Sequence, residues 1–181
     1  MSMKISYSNQ SNAKQSANIV LFVNEKFDIK NIKKYLSDDE LFYISDLLKA
    51  SDLKKNILIF KVSSKKKIIL ISIKKNLKNF DIENLGAEFY GIINSEKKID
   101  YFINSDSIES KKEKFIGYFL HGLKLKSYEF TKYKTKKDKK ILSIVVFGNK
   151  NKPSKKDQLK FESLEKGTFY ARDLVSEPGN I

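Results

Sequence analysis

At 181 residues with 40% hydrophobic and 12% aromatic content, the chain is sized for one domain with a real core plus an appendage, and it is too apolar for wholesale disorder. It has no cysteine, which excludes disulfides and thiolate metal sites, and no apolar run approaching the ~20 residues of a membrane span. A formal charge of +14 raises nucleic acid as a partner, but the basic residues are almost all lysine and are mixed with 22 acids along every segment, whereas base readers rely on the bidentate arginine fork.

Residues 1–17 are polar, with one short strand expected at Lys4 to Tyr7. The continuous apolar run from Asn18 to Val23 predicts a strand covered on both faces and is too short for a signal-peptide core, which fits a cytoplasmic protein. Asn24 to Lys34 reads as a charged connection. Ser37-Asp38-Asp39-Glu40 spells a capping box, and Leu41, Ile44, Leu47 and Leu48 follow at helical spacing, so a helix is expected to about Ala50. Ile57 to Val62 and Lys67 to Ile73 predict two consecutive strands joined by a tight hairpin. Ile82, Leu85, Phe89, Ile92 and Ile93 predict an amphipathic helix from Asp81 to Ser95.

Ile99 to Asn104 reads as a strand. A helix is expected from Ser107, with Phe115, Ile116, Phe119, Leu120 and Leu123 on one stripe and with Gly117 and Gly122 placed for close packing or termination. Leu125, Tyr128, Phe130 and Tyr133 stand among polar residues and predict an extended excursion. Ile141 to Gly148 is the last strand, placed centrally in the sheet. Ser154 is a good N-cap for a helix running toward Val175, whose expected inner face is Leu164, Gly167, Ala171 and Leu174. Strands and helices alternate apart from one hairpin. The class is therefore α/β, a mixed sheet flanked by helices, with a domain over residues 1–150 followed by a linking helix in 151–181.

Little in this order spells catalysis. His121, the only histidine, has no carboxylate or serine constellation around it in sequence and reads as a surface or capping residue without a role. The acids Asp38, Asp39 and Glu40 complement a helix start more simply than they bind a metal. No GxGxxG or GxxxxGK[ST] is present, and the strand ends lead into SSKK, KKNLKN and NSDS, so a phosphate cradle of the ADP-ribose-binding kind is not expected. The Tyr133-Lys134-Thr135-Lys136-Lys137 stretch and its aromatic neighbours form the best patch for single-stranded nucleic acid. Anchoring of those aromatics on the core, with solvated lysines, accounts for them more simply.

The closing stretch from Tyr170 to Ile181 differs from the rest. It holds the only arginine, Arg172, in a composition that has the look of AT-rich codon drift, and an arginine kept under such drift points to a need for its planar fork. Pro178-Gly179 forces a shaped turn. YARDLVSEPGN resembles the ARDLxNxPxN segment that opens the catalytic domain of the leucyl (cytosol) aminopeptidases, peptidase family M17. His121 to Lys137 is similar to that family's EGxxLxxYxFxxYKTKK segment, with histidine in the acidic position. The resemblance implies a macro-domain-like N-terminal domain and the helix leading into a catalytic domain.

It further implies a parent that hydrolyses N-terminal residues, leucine preferred, from peptides, with two divalent metals, zinc or manganese, on ligands downstream of the ARDL segment. No catalytic residue, metal or cofactor is expected in this segment, and the chain alone is expected to be inactive. The implied partners are its own catalytic domain, a homo-hexamer and the peptide substrate, without membrane or nucleic acid. Arg172, Asp173, Pro178 and Asn180 are the expected domain-junction residues, with Arg172 and Asp173 as an ion pair or helix-end clamp. The stop just after Pro178-Gly179-Asn180 fits a truncated chain. The alternatives are a small basic nucleic-acid-binding module or an ADP-ribose binder.

Overall fold

Ile19 to Val23 and Ile68 to Ile71 carry apolar side chains on both faces of an extended chain, and such strands need cover above and below. The computed structural model describes residues 2–8, 18–94, 98–109, 114–133 and 141–177. It makes the two runs parallel neighbours inside a six-stranded sheet. The strands are β1 (Ser2–Ser8), β2 (Asn18–Asn24), β3 (Ile57–Lys61), β4 (Lys67–Ile73), β5 (Lys98–Asn104) and β6 (Ile141–Phe147), in the order β1-β6-β5-β2-β4-β3. All neighbours are parallel except β3, which returns antiparallel to β4 through the expected hairpin. The sheet is therefore mixed, and β6 lies inside it between β1 and β5.

On one face, α2 (Asn79–Ile93) and α3 (Phe115–Lys126) cover Val20, Phe22, Ile69, Ile71, Tyr101 and Ile144. Aromatic edges lock this layer: the Phe22 ring meets those of Phe115 and Phe119 at 5.3 and 5.6 Å, nearly perpendicular. On the other face, α1 (Asp38–Ala50) and a 3-10 helix over Lys30–Tyr35 cover Leu21, Ile68, Leu70 and Phe60. The capping box of α1 is present as spelled, the Ser37 hydroxyl accepting the Glu40 amide and the Glu40 carboxylate accepting the Ser37 amide. The 3-10 helix corrects the expectation of a plain charged connection. Six residues, two turns of a 3-10 helix, are too few to show a period in the sequence, yet they bury Ile32.

Two glycines decide how closely α2 and α3 approach. A Cβ on Gly86 would lie 1.9 Å from the Phe119 carbonyl oxygen, and one on Gly122 would lie 1.9 Å from that of Glu83. Each helix thus sets its backbone against the other's, and Gly117 has a similar reason, since its missing Cβ leaves room for the Phe161 ring. α3 starts later than expected: Ser105–Ser107 is a separate 3-10 turn, and Lys114 precedes the helix with φ of 64°. It also ends later, so Leu125 belongs to its last turn rather than to the extended excursion, which begins only after Lys126.

α4 (Lys155–Ser176) starts at the expected Ser154 cap and packs on α3. Its inner face is not the expected one. Phe161 and Glu165 are buried, whereas Leu164, Gly167, Ala171 and Leu174 are exposed. The helix carries two stripes at helical spacing, and the one with an aromatic ring that fits the Gly117 socket faces α3.

Candidate functional site

Beyond the sheet, the interlocked polar groups gather in the seam between α3 and α4. At its near end Phe161 fills the space above Gly117, with the Tyr118 and His121 rings 5.1 and 5.2 Å away. His121 is buried, not a surface or capping residue, because α4 lies over it. Its Nδ1 is 3.2 Å from Oε1 of Glu165, which is also buried. Forty-four positions separate the two, so no local spelling could announce the pair. The signal that could have found it is the Phe161, Glu165, Arg172 stripe, which points an acid and an arginine to the side of α4 that carries its buried ring.

The far end of the seam is built on Arg172 and Asp173. α3 runs out at Lys126 and leaves carbonyls without helical partners. Arg172 Nη1 donates to the Leu125 carbonyl at 2.7 Å, while its guanidinium lies 5.4 Å from the Tyr128 ring centroid. The Tyr128 hydroxyl in turn donates to Asp173 Oδ1 at 2.7 Å, and its ring packs against Phe169. Partial desolvation and this bond raise the Tyr128 hydroxyl above the usual phenol range. Arg172 and Asp173 thus reach to the same short segment of chain, Leu125 to Tyr128, through different groups. One turn on, Lys132 pairs with Glu177, and the bond raises its ammonium above the usual lysine range. Pro178 and Asn180, expected at the same junction, lie outside the described residues, as do residues 134–137 of the basic patch.

Of the aromatics that could have stacked on nucleic acid, Tyr128 and Phe130 are half-buried, while Tyr133 stays exposed. Tyr128 faces Phe169 and Arg172, and Phe130 sits edge-on to Tyr133 at 5.7 Å. An open groove of about 580 Å³ runs along the seam between Tyr128, Lys132, Phe169, Tyr170 and Asp173.

A second region is the edge where all five parallel strands end, the usual ligand position of open α/β sheets. A crevice of about 870 Å³ opens there beside Lys34, Glu109 and Lys150. Two amides at this edge that could cradle a phosphate, those of Asn149 and Lys150, are already taken. The Asp106 carboxylate accepts the Asn149 amide at 2.9 Å and the Lys150 amide at 2.6 Å. Gly148, at φ of 128°, lets the chain pass so close that a Cβ would fall 2.4 Å from Ser105 Oγ. An anionic ligand would have to displace a built-in carboxylate.

Among the described residues no three His, Asp or Glu side chains come together as a metal requires. Of the acids at the start of α1, Glu40 pairs with Lys66 instead. Among the described residues no helix is long and apolar enough to cross a membrane.

No protein-family model matches the sequence, and no curated protein matches it. Solved structures do match in fold. A mutant of tomato leucine aminopeptidase superposes with a TM-score of 0.66 at 14% identity, over 98% of this chain and 39% of its own. The cytosol aminopeptidase of Coxiella burnetii matches with a TM-score of 0.58 at 11% identity, over 96% of this chain and 33% of its own. The bottromycin maturation enzyme BotP matches with a TM-score of 0.58 at 9% identity, over 89% of this chain and 33% of its own. This chain therefore spans between one third and two fifths of those lengths. It has the fold of the N-terminal region of leucine and cytosol aminopeptidases, the family that the segments at 121–137 and 170–180 resemble.

Proposed function

We propose that this chain is the N-terminal, non-catalytic domain of a leucyl aminopeptidase, joined through α4 to a catalytic domain. The observation that carries the reading is the fold match over 98% of this chain and only 39% of a leucine aminopeptidase, in a sequence whose α4 ends in the ARDL spelling. On this reading the domain is macro-like and its role is architectural. It sits on the outside of a cytoplasmic homo-hexamer and shapes access to a peptidase site held elsewhere. The parent removes N-terminal residues, leucine preferred, from peptides. Its two divalent metals, zinc or manganese, supply an activated water and a polarised carbonyl. Among the described residues no three His, Asp or Glu side chains come together to hold them, and on this reading their ligands lie downstream of the ARDL segment.

Arg172 and Asp173 have a junction role on this reading. They fasten the α3 end to α4 just before the chain turns toward the catalytic domain, with Pro178 and Asn180 shaping that turn. The test is to sequence the reading frame past Ile181 and to assay the longer and the 181-residue products on a leucyl chromogenic amide with added manganese or zinc. Activity confined to the longer product is expected. A stop codon directly after Ile181, or leucyl hydrolysis by the 181-residue chain alone, overturns the proposal.

A further inference from the structure

Most glycines of this fold have a steric reason. Gly86, Gly117, Gly122 and Gly148 each stand where a Cβ would strike another part of the chain. Gly167 has none. It lies in the middle of the 22-residue α4, and a Cβ there would meet nothing within 4 Å. A glycine inside a helix is unfavourable relative to alanine, so this one weakens α4 without any return from its own chain. Gly91, the other glycine facing open space, sits in the last turn of α2, where a helix is ending anyway.

Gly167 is also the centre of an exposed, uncharged surface on α4. Leu164 and Leu174 are 48% and 55% exposed, Tyr170 67% and Val175 88%, and Ser163, Thr168 and Ala171 complete a strip on α4 without a charge. Charged residues make up 32% of this sequence, so an uncharged strip of this length on its most exposed helix is out of character. The 164, 167, 171, 174 spacing is that of a helix packing seam, and Gly167 and Ala171 let a second backbone come close at its middle.

We infer that the strip from Leu164 to Val175 on α4 is a docking face for a helix of the catalytic portion of the same longer chain, an inference that rests on the reading given under Proposed function. Two observations select that occupant. The aminopeptidases of the same fold carry more than half of their length outside the matched part, so a large body is available to cover the strip. A second copy is the poorer candidate, because two chains of formal charge +14 repel one another and the strip offers no acidic group to offset it.

Gly167→Ala separates the possibilities. In the 181-residue chain the added methyl meets open space and improves helix propensity, so the melting temperature should rise by about 2–4 °C. In the longer chain the same methyl meets the docked backbone, so the melting temperature should fall, and Leu164→Lys should lower it in the longer chain while leaving the 181-residue chain within a degree. A rise on Gly167→Ala in both chains overturns the docking face, even if the longer chain proves to be an active aminopeptidase. Sedimentation showing a 181-residue dimer that Leu164→Lys dissociates assigns the face to a second copy and overturns the occupant. A reading frame that stops at Ile181 overturns this inference together with the reading on which it rests.

Discussion

Gly122→Ala tests whether the α2–α3 contact is as close as the backbone positions require. The new Cβ would lie 1.9 Å from the Glu83 carbonyl oxygen and 2.5 Å from its carbon, both main-chain atoms that cannot rotate away. Real Cβ contacts hardly ever fall below 3.0 Å, so the helices must part by more than 1 Å. That separation lifts Phe119 and Leu123 from Phe89 and the sheet beneath, in a cluster that is buried throughout. Overpacking of this kind costs roughly 1–3 kcal/mol, and an obstacle made of backbone belongs at the top of the range. The gain in helix propensity offsets up to about 1 kcal/mol of it. A net loss of about 2 kcal/mol corresponds to a melting temperature lower by roughly 4–8 °C for a chain of this size. Urea and thermal unfolding read it directly, and Gly91→Ala serves as the control, since nothing lies within 4 Å of its Cβ. A Gly122→Ala protein that melts with the parent would refute the close contact and with it the packing of this whole layer.

Phe161→Ala empties the socket above Gly117 and should cost about 3–5 kcal/mol of α4 docking, seen as loss of amide protection in α4 before the sheet opens. His121→Leu and Glu165→Leu should each destabilise the seam, because each leaves the other buried group without its partner. The double variant should recover part of the loss, a coupling of roughly 0.5–3 kcal/mol in a double-mutant cycle. Arg172→Lys keeps the charge but loses the fork that meets the Leu125 carbonyl while covering the Tyr128 ring, so hydrogen exchange of the last α3 turn should speed up with little change in the sheet. Burial pushes the Tyr101 hydroxyl up to about 12. A folded value above the unfolded one means that this contribution to stability is complete below pH 10 and is lost as the pH rises toward 12. Tyr101→Phe should therefore flatten the alkaline fall in stability between those values, and an unchanged alkaline limb would exclude this tyrosine as its source.

What the sequence made legible are the features enforced by local chemistry. Doubly apolar runs had to be interior strands, and Ser37 with Glu40 had to start a helix. Ser154, an N-cap with Asp157 three residues on, had to start another. Gly117 and Gly122 pointed to close packing or termination, and the structure shows close packing for both, although which helix came close was not readable from either one. Features that depend on distant partners stayed hidden. His121 meets a carboxylate forty-four residues away, and Asp106 fills a pair of amides at 149 and 150. Nothing in NSDS distinguishes a loop that holds a ligand from one that holds itself. The 3-10 helix at Lys30–Tyr35 is a third case, since its buried Ile32 is a single apolar point among lysines.

α4 shows why periodicity alone misassigned a face. Leu164, Gly167, Ala171 and Leu174 repeat at helical spacing, and so do Phe161, Glu165, Phe169 and Arg172. Read by hydrophobicity the first stripe wins, because the second contains two charges. The structure turns the second toward α3, burying Phe161 and Glu165 and half-burying Phe169 and Arg172, because complementarity outweighs apolar content when each polar group has a partner. Glu165 has His121, Arg172 has the carbonyl at the end of α3 and the Tyr128 face, and the Phe161 ring has a socket that only glycine leaves open. This also accounts for the single arginine. Its task is to satisfy a helix-end carbonyl with an N–H while lying over an aromatic ring, and a lysine ammonium can do one or the other but lacks the flat fork that does both.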